Sequence, residues 1–364
     1  MAEKGARPNV PRVQRLALRA VRAFSSPLLP DDYLELINPL WSTRELRGKI
    51  ERIEPETETA CTVVIKPSYR FDGHEPGQFL RIGIDIKGRR HWRAYSLTSD
   101  PENEEGIISI TVKNVEEGQV SPYLTHKARV GTIVGLGGVE GDFTLPDDMP
   151  EKLLFISAGS GITPIMSMLR SLDHRDEMND VVLIHSAKDE NDVIFGEQLR
   201  ELEKKHDGFK LHEQHTGSMG RLEPAKHFDE ICEDWTERVT FLSGPEGMLD
   251  AVEEHFDQHG LCDQLYMERF QPKLTGEAGD GGKIIFTESD CEAISDGETP
   301  IMVAGEEQGL DMPYGCREGV CHTCVLTLKS GKIRDLRNGK VSGEEGETIR
   351  TCINAPEGNI EIEF

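Results

Sequence analysis

The period of the apolar residues changes twice along this chain, and the changes divide it into units. Between residues 46 and 148, short runs rich in β-formers recur at 48–53, 59–66, 78–86, 93–98, 107–112 and 132–137. Turn signals separate them: Asp72-Gly73, Pro76-Gly77, Lys87-Gly88 and the stretch 103–106. Short, evenly spaced strands of this kind predict a closed antiparallel barrel. From 149 to 271 the strands become continuous apolar runs, at 152–158 and 181–188, each followed by a helical run, at 165–172 and 193–205. Such alternation predicts a parallel α/β sheet covered on both faces. Residues 272–282 are rich in glycine and proline and read as a linker. Beyond it, 283–287 reads as an edge strand, Thr299-Pro300 as cap and first residue of a helix 301–308, and 325–329 and 360–364 as strands. The expected fold is multidomain: a leader and connector (1–45), the antiparallel barrel (46–148), the α/β unit (149–271), the linker (272–282) and a C-terminal α+β unit (283–364).

The first residues follow a different pattern. Arg12, Arg15, Arg19 and Arg22 form one stripe of a helix, and Val13, Leu16, Ala17, Ala20 and Phe24 form the opposite face. A basic amphipathic helix can lie on an anionic membrane surface; it can equally pack on the protein or serve as a transit peptide. The stretch 31–42, with Leu34, Leu36, Ile37, Leu40 and Trp41, reads as a packed connector.

Charge narrows the partners. A formal net charge of −25 over 364 residues argues against nucleic acid and suits acidic faces that meet basic proteins. No apolar run reaches the ~20 residues of a membrane span, and no secretory signal is recognised, so a cytoplasmic, monomeric protein is expected, with peripheral membrane contact through 1–45. Cys61, Cys232, Cys262 and Cys291 have no metal-ligand spacing and are expected to be buried, reduced thiols.

The other cysteines carry chemistry. Cys316, Cys321 and Cys324 read C-x4-C-x2-C, and Cys352 follows later. This is the plant-type spacing for a [2Fe–2S] cluster, in which three thiolates on one loop wrap the cluster and a distant fourth completes it. Gly315 and Gly319 let the loop curl and turn backbone N–H groups towards the sulfurs. Structural zinc usually pairs two C-x2-C knuckles, and Cys352 lacks such a neighbour. Disulfides fit poorly without a secretory signal. His322 lies between two of the cysteines and is expected to be exposed. Thr323 and Arg317 are expected to shape the loop.

The barrel holds Arg93-Ala-Tyr-Ser-Leu-Thr98 and, further on, Lys113 and Gly118-Gln-Val-Ser121. These resemble the RxYS and GxxS motifs of the ferredoxin–NADP⁺ reductase superfamily. The resemblance implies that Arg93 binds a flavin diphosphate, Tyr95 packs against the isoalloxazine and Ser96 hydrogen-bonds near flavin N5, with Thr98 and Lys113 beside them. Gly118 lets backbone N–H groups approach the diphosphate, and Ser121 caps the next helix. In the α/β unit, Gly159-Ser-Gly161-Ile-Thr163-Pro164 follows a strand and opens a helix, the arrangement that holds a dinucleotide diphosphate. It resembles the superfamily's GxGxTP motif. Ser186 and Lys188 end the next strand, where such folds read the 2′-ribose; Asp189 and Glu190 oppose a phosphate there. Ser243-Gly244-Pro245 resembles the later CGP motif beside the nicotinamide, with serine in place of cysteine, and Phe270 matches an aromatic that closes the flavin site. The cofactors implied are FAD (with FMN as the alternative), NADPH or NADH, and a [2Fe–2S] cluster on a β-grasp ferredoxin domain.

The resemblance therefore implies an oxidoreductase passing electrons from NAD(P)H through flavin and cluster to an oxygen-activating iron enzyme. The leader resembles that of reductases serving membrane acyl-CoA or acyl-lipid desaturases. Reductases of soluble Rieske-type hydroxylases of steroids or aromatics are the alternative, and a redox carrier or sensor without a dedicated oxygenase is a third reading.

Overall fold

The computed structural model describes residues 30–86, 88–103, 105–115, 118–270, 279–310, 312–314, 319 and 322–364. The arginine-striped helix, most of the linker, Gly315, Cys316, Arg317 and Cys321 lie outside these residues.

Six strands form the first sheet: β1 (Arg47–Thr57), β2 (Ala60–Pro67), β3 (Phe79–Ile86), β4 (Arg89–Ser96), β5 (Ile108–Lys113) and β6 (Ile133–Glu140). Their order is β4-β3-β6-β1-β2-β5. A bridge between Leu97 and Ile110 joins the two ends, so the antiparallel sheet closes into the barrel expected from the sequence. Closure places Ile50, Val63, Ile65, Leu80, Ile82, Ile110 and Val112 in one fully buried core. β1 is longer than its apolar pattern suggests. It continues through Glu54 and Pro55 to Thr57, with a register shift between Pro55 and Thr57 that accommodates the proline.

The second sheet is parallel: β7 (Leu153–Ala158), β8 (Val181–Ala187), β9 (Phe209–His215), β10 (Val239–Ser243) and β11 (Leu265–Glu268), in the order β11-β10-β7-β8-β9. Phe155, Leu183 and Phe241 bury one face with the helix Ile162–His174, while Leu154, Ile156, Ile184 and Leu242 bury the other with the helix Glu246–Gln258. Burial on both faces explains the unbroken apolar runs. β9 and β11 escaped the sequence reading because both are edge strands of mixed polarity.

One helix ties the two sheets together. From Ile162–His174, Ser167 Oγ donates to the Ser99 carbonyl at 2.7 Å and Arg170 donates to the Thr98 carbonyl. His174 and Asp100 sit 2.7 Å apart, and Arg175 pairs with Glu102. The helix that follows the glycine turn is thus fastened to the residues that follow the Arg-x-Tyr-Ser strand.

The C-terminal unit is a mixed sheet of β12 (Gly282–Phe286), β13 (Cys291–Ser295), β14 (Val325–Ser330), β17 (Thr348–Arg350) and β19 (Ile360–Glu363), in the order β13-β12-β19-β14-β17. A second, small sheet holds β15 (Ile333–Asp335), β16 (Val341–Ser342) and β18 (Asn354–Pro356). The helix Ile301–Glu307 buries Ile301, Met302 and Ala304 against Phe286 and Ile362.

Four expectations are corrected. The strand at 283–287 lies inside the sheet, because the unanticipated β13 covers its outer edge. Pro300 is itself the N-cap of the following helix, with no side-chain cap bond; the Thr299 carbonyl is instead held by Ser295 Oγ. Cys61 and Cys232 are buried, but Cys262 is exposed and Cys291 half-buried. The connector is a helix, Pro30–Ile37, followed by a 3-10 turn, and it is packed only in part: Leu34 and Leu40 are half-buried and Glu35 pairs with Arg47, but Leu36 is 79% and Ile37 73% exposed, with Tyr33 and Trp41 also open to solvent.

Candidate functional site

The second sheet ends at a cleft of about 370 Å³. Its walls include Lys113 from the end of β5, Gly159 and Gly161 from the turn after β7, Gly244 and Pro245 after β10, and Phe270. Six residues singled out in the sequence, from four separate stretches, therefore meet in one place. The position follows from topology. In an open parallel sheet, helices start at the carboxyl ends of the strands, so their N-termini gather there and present unpaired N–H groups to an anion.

The turn Gly159–Gly161 is a single 3-10 turn leading into Ile162–His174, in which Thr163 Oγ1 donates to the Ser160 carbonyl at 2.9 Å. Thr163 and Pro164 are buried in the first turn of that helix. Gly161 is required by space: a Cβ there would stand 2.2 Å from the Ser243 carbonyl oxygen. The glycine turn and the Ser-Gly-Pro segment are thus in backbone contact. Ser243 is fully buried, and its hydroxyl has no hydrogen-bond partner among the described residues.

In the barrel, Arg93 and Tyr95 sit on β4, and Ser96 ends it, buried. Arg93 Nη1 donates to the Trp92 carbonyl at 2.8 Å. Burial pushes the Tyr95 hydroxyl well above its ordinary pKa, so it stays protonated. Thr98 points elsewhere: its side chain is fully buried and shares a 2.7 Å hydrogen bond with Ser109 Oγ across the barrel seam. Ser121 is not a cap. It is the second residue of the helix Val120–His126, Gln119 holds the cap position, and Ser121 Oγ accepts from the Val115 N–H at 3.2 Å, closing the turn that contains Gly118.

At the end of β8, Ser186 is buried with its hydroxyl against the Gln214 carbonyl, whereas Lys188 is exposed. Of the two, Lys188 alone is open to a phosphate. Arg269, not singled out in the sequence, also lines the cleft, where Asp250 and Glu253 hold it in ion pairs of 3.0 and 2.7 Å. Its position beside Phe270 was the available signal.

Beneath the cleft a polar row crosses the parallel sheet. Register aligns Ser243 with Ser157, Ser157 with His185, and His185 with Glu213. Ser157 Oγ and His185 Nδ1 are 2.8 Å apart, and both residues are fully buried. Burial drives the His185 pKa down to about 4, so the ring is neutral near pH 7.

In the C-terminal unit, Cys324 and Cys352 are buried, with sulfurs 3.1 Å apart and not bonded to each other. Two sulfurs on one tetrahedral metal at about 2.3 Å lie roughly 3.7 Å apart, so this pair needs only a small outward shift to share an iron. The loop before them is held by Arg350, which donates to the Gly319 carbonyl at 2.8 Å. Gly319 has a φ of +77°, and a Cβ there would stand 2.6 Å from Ile353 Cδ1. The residues present thus fit a cluster. His322 is exposed, as expected from the sequence.

A barrel, a parallel nucleotide-binding sheet with its cleft, and a ferredoxin-like unit with paired buried thiols define an electron-transfer oxidoreductase. Family models agree along the chain: an oxidoreductase FAD-binding domain over 52–145, an oxidoreductase NAD-binding domain over 155–254 and a 2Fe-2S iron–sulfur cluster binding domain over 286–357. The chain belongs to the ferredoxin–NADP⁺ reductase-type flavin/[2Fe–2S] reductases, and FAD, NAD(P)H and a [2Fe–2S] cluster are its cofactors. It is 43% identical to an NADPH oxidoreductase of Mycobacterium tuberculosis over 352 residues, covering 96% of this chain and 92% of that one. It is 29% identical to a glycine betaine monooxygenase reductase subunit of Pseudomonas aeruginosa, covering 85% and 92%. Among solved structures, phthalate dioxygenase reductase shares the fold, with a TM-score of 0.58 at 19% identity over 88% of this chain and 98% of that one.

Proposed function

We propose that this oxidoreductase is the reductase component of an oxygenase system, delivering electrons from NAD(P)H to an oxygen-activating iron enzyme. The observation that carries the reading is the meeting of the glycine turn, the Ser243–Pro245 segment, Lys113 and Phe270 in one cleft on a chain that also bears the paired thiols. Within the cleft, Gly159, Gly161 and the first turn with Thr163 and Pro164 hold the nucleotide diphosphate, and Lys188 selects a 2′-phosphate. Ser243, Gly244 and Pro245 flank the nicotinamide. Arg93, Lys113, Gly118 and Ser121 hold the flavin diphosphate side, Tyr95 and Ser96 lie against the ring, and Phe270 covers it until nicotinamide enters. Cys316, Cys321, Cys324 and Cys352 ligate the cluster. The flavin supplies the conversion of a two-electron donor into single electrons. The protein's contribution is orientation and the exclusion of water, which the buried Ser96 and Ser243 and the helix fastened by Ser167 and Arg170 favour.

The acceptor is read from relatives. The monooxygenase reductase subunit named above, and a 3-ketosteroid-9-alpha-monooxygenase ferredoxin reductase component of M. tuberculosis at 27% identity, support a soluble oxygenase. One observation favours a second reading, a membrane desaturase: Tyr33, Leu36, Ile37 and Trp41 stand exposed next to the arginine-rich leader. The test is reconstitution of NADPH-dependent oxygen uptake with a soluble extract and with washed membranes, using the full chain and a chain lacking 1–45. Coupling to the soluble fraction by both forms supports the oxygenase reading. Coupling to membranes that needs 1–45 supports the desaturase. Coupling to neither overturns both.

A further inference from the structure

One side chain of the ferredoxin unit reaches the flavin barrel by two routes. Tyr314 stands two residues before Cys316. Its hydroxyl accepts a hydrogen bond from Gln119 Nε2 at 2.9 Å, and Arg93 Cζ lies 5.4 Å from the centroid of its ring. The two contacts come from separate parts of the barrel: Arg93 lies on β4, and Gln119 is the cap residue of the helix Val120–His126. At its other side the half-buried ring packs on the ferredoxin core, whose neighbouring Met312 is fully buried. Tyr314 is therefore anchored in one unit and gripped by the other. The hydroxyl bond fixes the direction of the ring while the guanidinium lies over its π face, a geometry that fixes both the distance and the rotation of Tyr314 against the barrel.

We propose that Tyr314 is the docking latch that holds the cluster loop on the flavin face of the barrel. It is a positioning residue and touches no reacting atom. The step it serves moves one electron from reduced flavin to oxidised cluster, with nothing else consumed, and that step slows steeply as the two groups separate. The latch rests on the two contacts to Tyr314. Its role in electron delivery rests on the proposed reading of the chain as a flavin-to-cluster reductase.

The test uses the full-length holoprotein and the variants Y314A, Y314F and Q119A. Backbone hydrogen exchange in the helix Val120–His126 and the radius of gyration from X-ray scattering report docking without turnover. Stopped-flow bleaching of the cluster after NADPH addition reports delivery, and ferricyanide reduction reports the flavin alone. Y314A is expected to raise exchange in that helix, to expand the particle and to slow cluster bleaching about tenfold, the weight of one exposed cation–π contact and one hydrogen bond. Its ferricyanide rate should stay at the wild-type value. Y314F keeps the stacked ring and should fall in between. Wild-type exchange and scattering in Y314A overturn the latch, as does a parallel loss of ferricyanide reduction and bound FAD, which would assign Tyr314 to holding the flavin. If Y314A fails to assemble its cluster, Q119A, which leaves the ferredoxin unit unaltered, carries the same measurement. If ferricyanide is reduced but no variant, nor the wild type, bleaches its cluster, the reductase reading fails while the exchange result still decides the latch.

Discussion

The sulfurs of Cys324 and Cys352 lie 3.1 Å apart although 28 positions separate them in the chain. What brings them together is β14 pairing with β17: Val325 faces Arg350, and the Thr351 hydroxyl donates to the Cys324 carbonyl at 2.9 Å. Two of the four cysteines proposed to ligate the cluster are therefore positioned by the sheet. Cys352→Ser should remove the cluster's visible absorption and abolish cytochrome c reduction. Ferricyanide reduction by NADPH should persist, because flavin and nucleotide sites lie on other sheets. Undiminished cytochrome c reduction would show that electrons leave by another route.

Gly161 and Gly247 make opposite cases for the same substitution. A Cβ on Gly161 would stand 2.2 Å from the Ser243 carbonyl oxygen, whereas nothing lies within 4 Å of a Cβ on Gly247. Gly161→Ala should force the glycine turn away from the Ser243–Pro245 segment and raise the KM for NADPH at least about tenfold, the effect of losing roughly 1.4 kcal/mol of binding. Gly247→Ala, inside the helix Glu246–Gln258, should leave KM unchanged and stabilise by roughly 0.5–1 kcal/mol. Steady-state kinetics and urea unfolding check the pair.

Arg170 is nearly buried between the two larger units. It donates to the Thr98 carbonyl and to Gln198, lies over the Phe195 ring at 5.1 Å, and feels the half-buried carboxylate of Glu56. Burial raises the Glu56 pKa, while bonds from Thr62 and the Phe195 N–H oppose the rise. Arg170→Met should therefore cost about 1–3 kcal/mol, through loss of the bonds to the Thr98 carbonyl and Gln198 and of a favourable charge near Glu56. The double variant with Glu56→Gln should recover part of that loss. Thermal unfolding of the four members of the cycle measures the coupling.

His185 makes stability depend on pH. Its folded pKa of about 4 lies below the ordinary 6.5, so between those values the unfolded chain binds a proton that the folded protein refuses. This contribution is fully present above pH 6.5 and is lost as the pH falls towards 4, to a limit of about 3 kcal/mol. A non-titrating His185→Gln variant should show a flatter stability profile across that window. An identical slope in both proteins would assign the acid sensitivity to other groups.

Local sequence was sufficient wherever a segment's chemistry and its burial point the same way. The strands β7 and β8 are apolar because they are buried on both faces, and the barrel strands show as short runs of β-formers between turn signals, so their patterns announce them. The C-x4-C-x2-C spacing and the glycine turn are equally local, since a cluster and a diphosphate each need several groups from one short loop. The sequence reading went astray where a neighbour distant in the chain decides. β12 has an apolar pattern that cannot reveal which strand covers its edge, and β13, with Ile294 82% exposed, carries little apolar signal of its own. The apolar residues of 31–42 read as packed, yet Leu36, Ile37 and Trp41 stand exposed while only Leu34 and Leu40 are half-buried. Thr98 and Ser186 stand beside binding motifs in sequence, but barrel closure and the pairing of β8 with β9 turn their hydroxyls inward. Tertiary structure alone brought Tyr314 to Arg93 and Gln119, Ser167 to Ser99, and Ser243 to Gly161, because contacts between residues so distant in the chain depend on how sheets close and dock and leave no period in the chain that forms them.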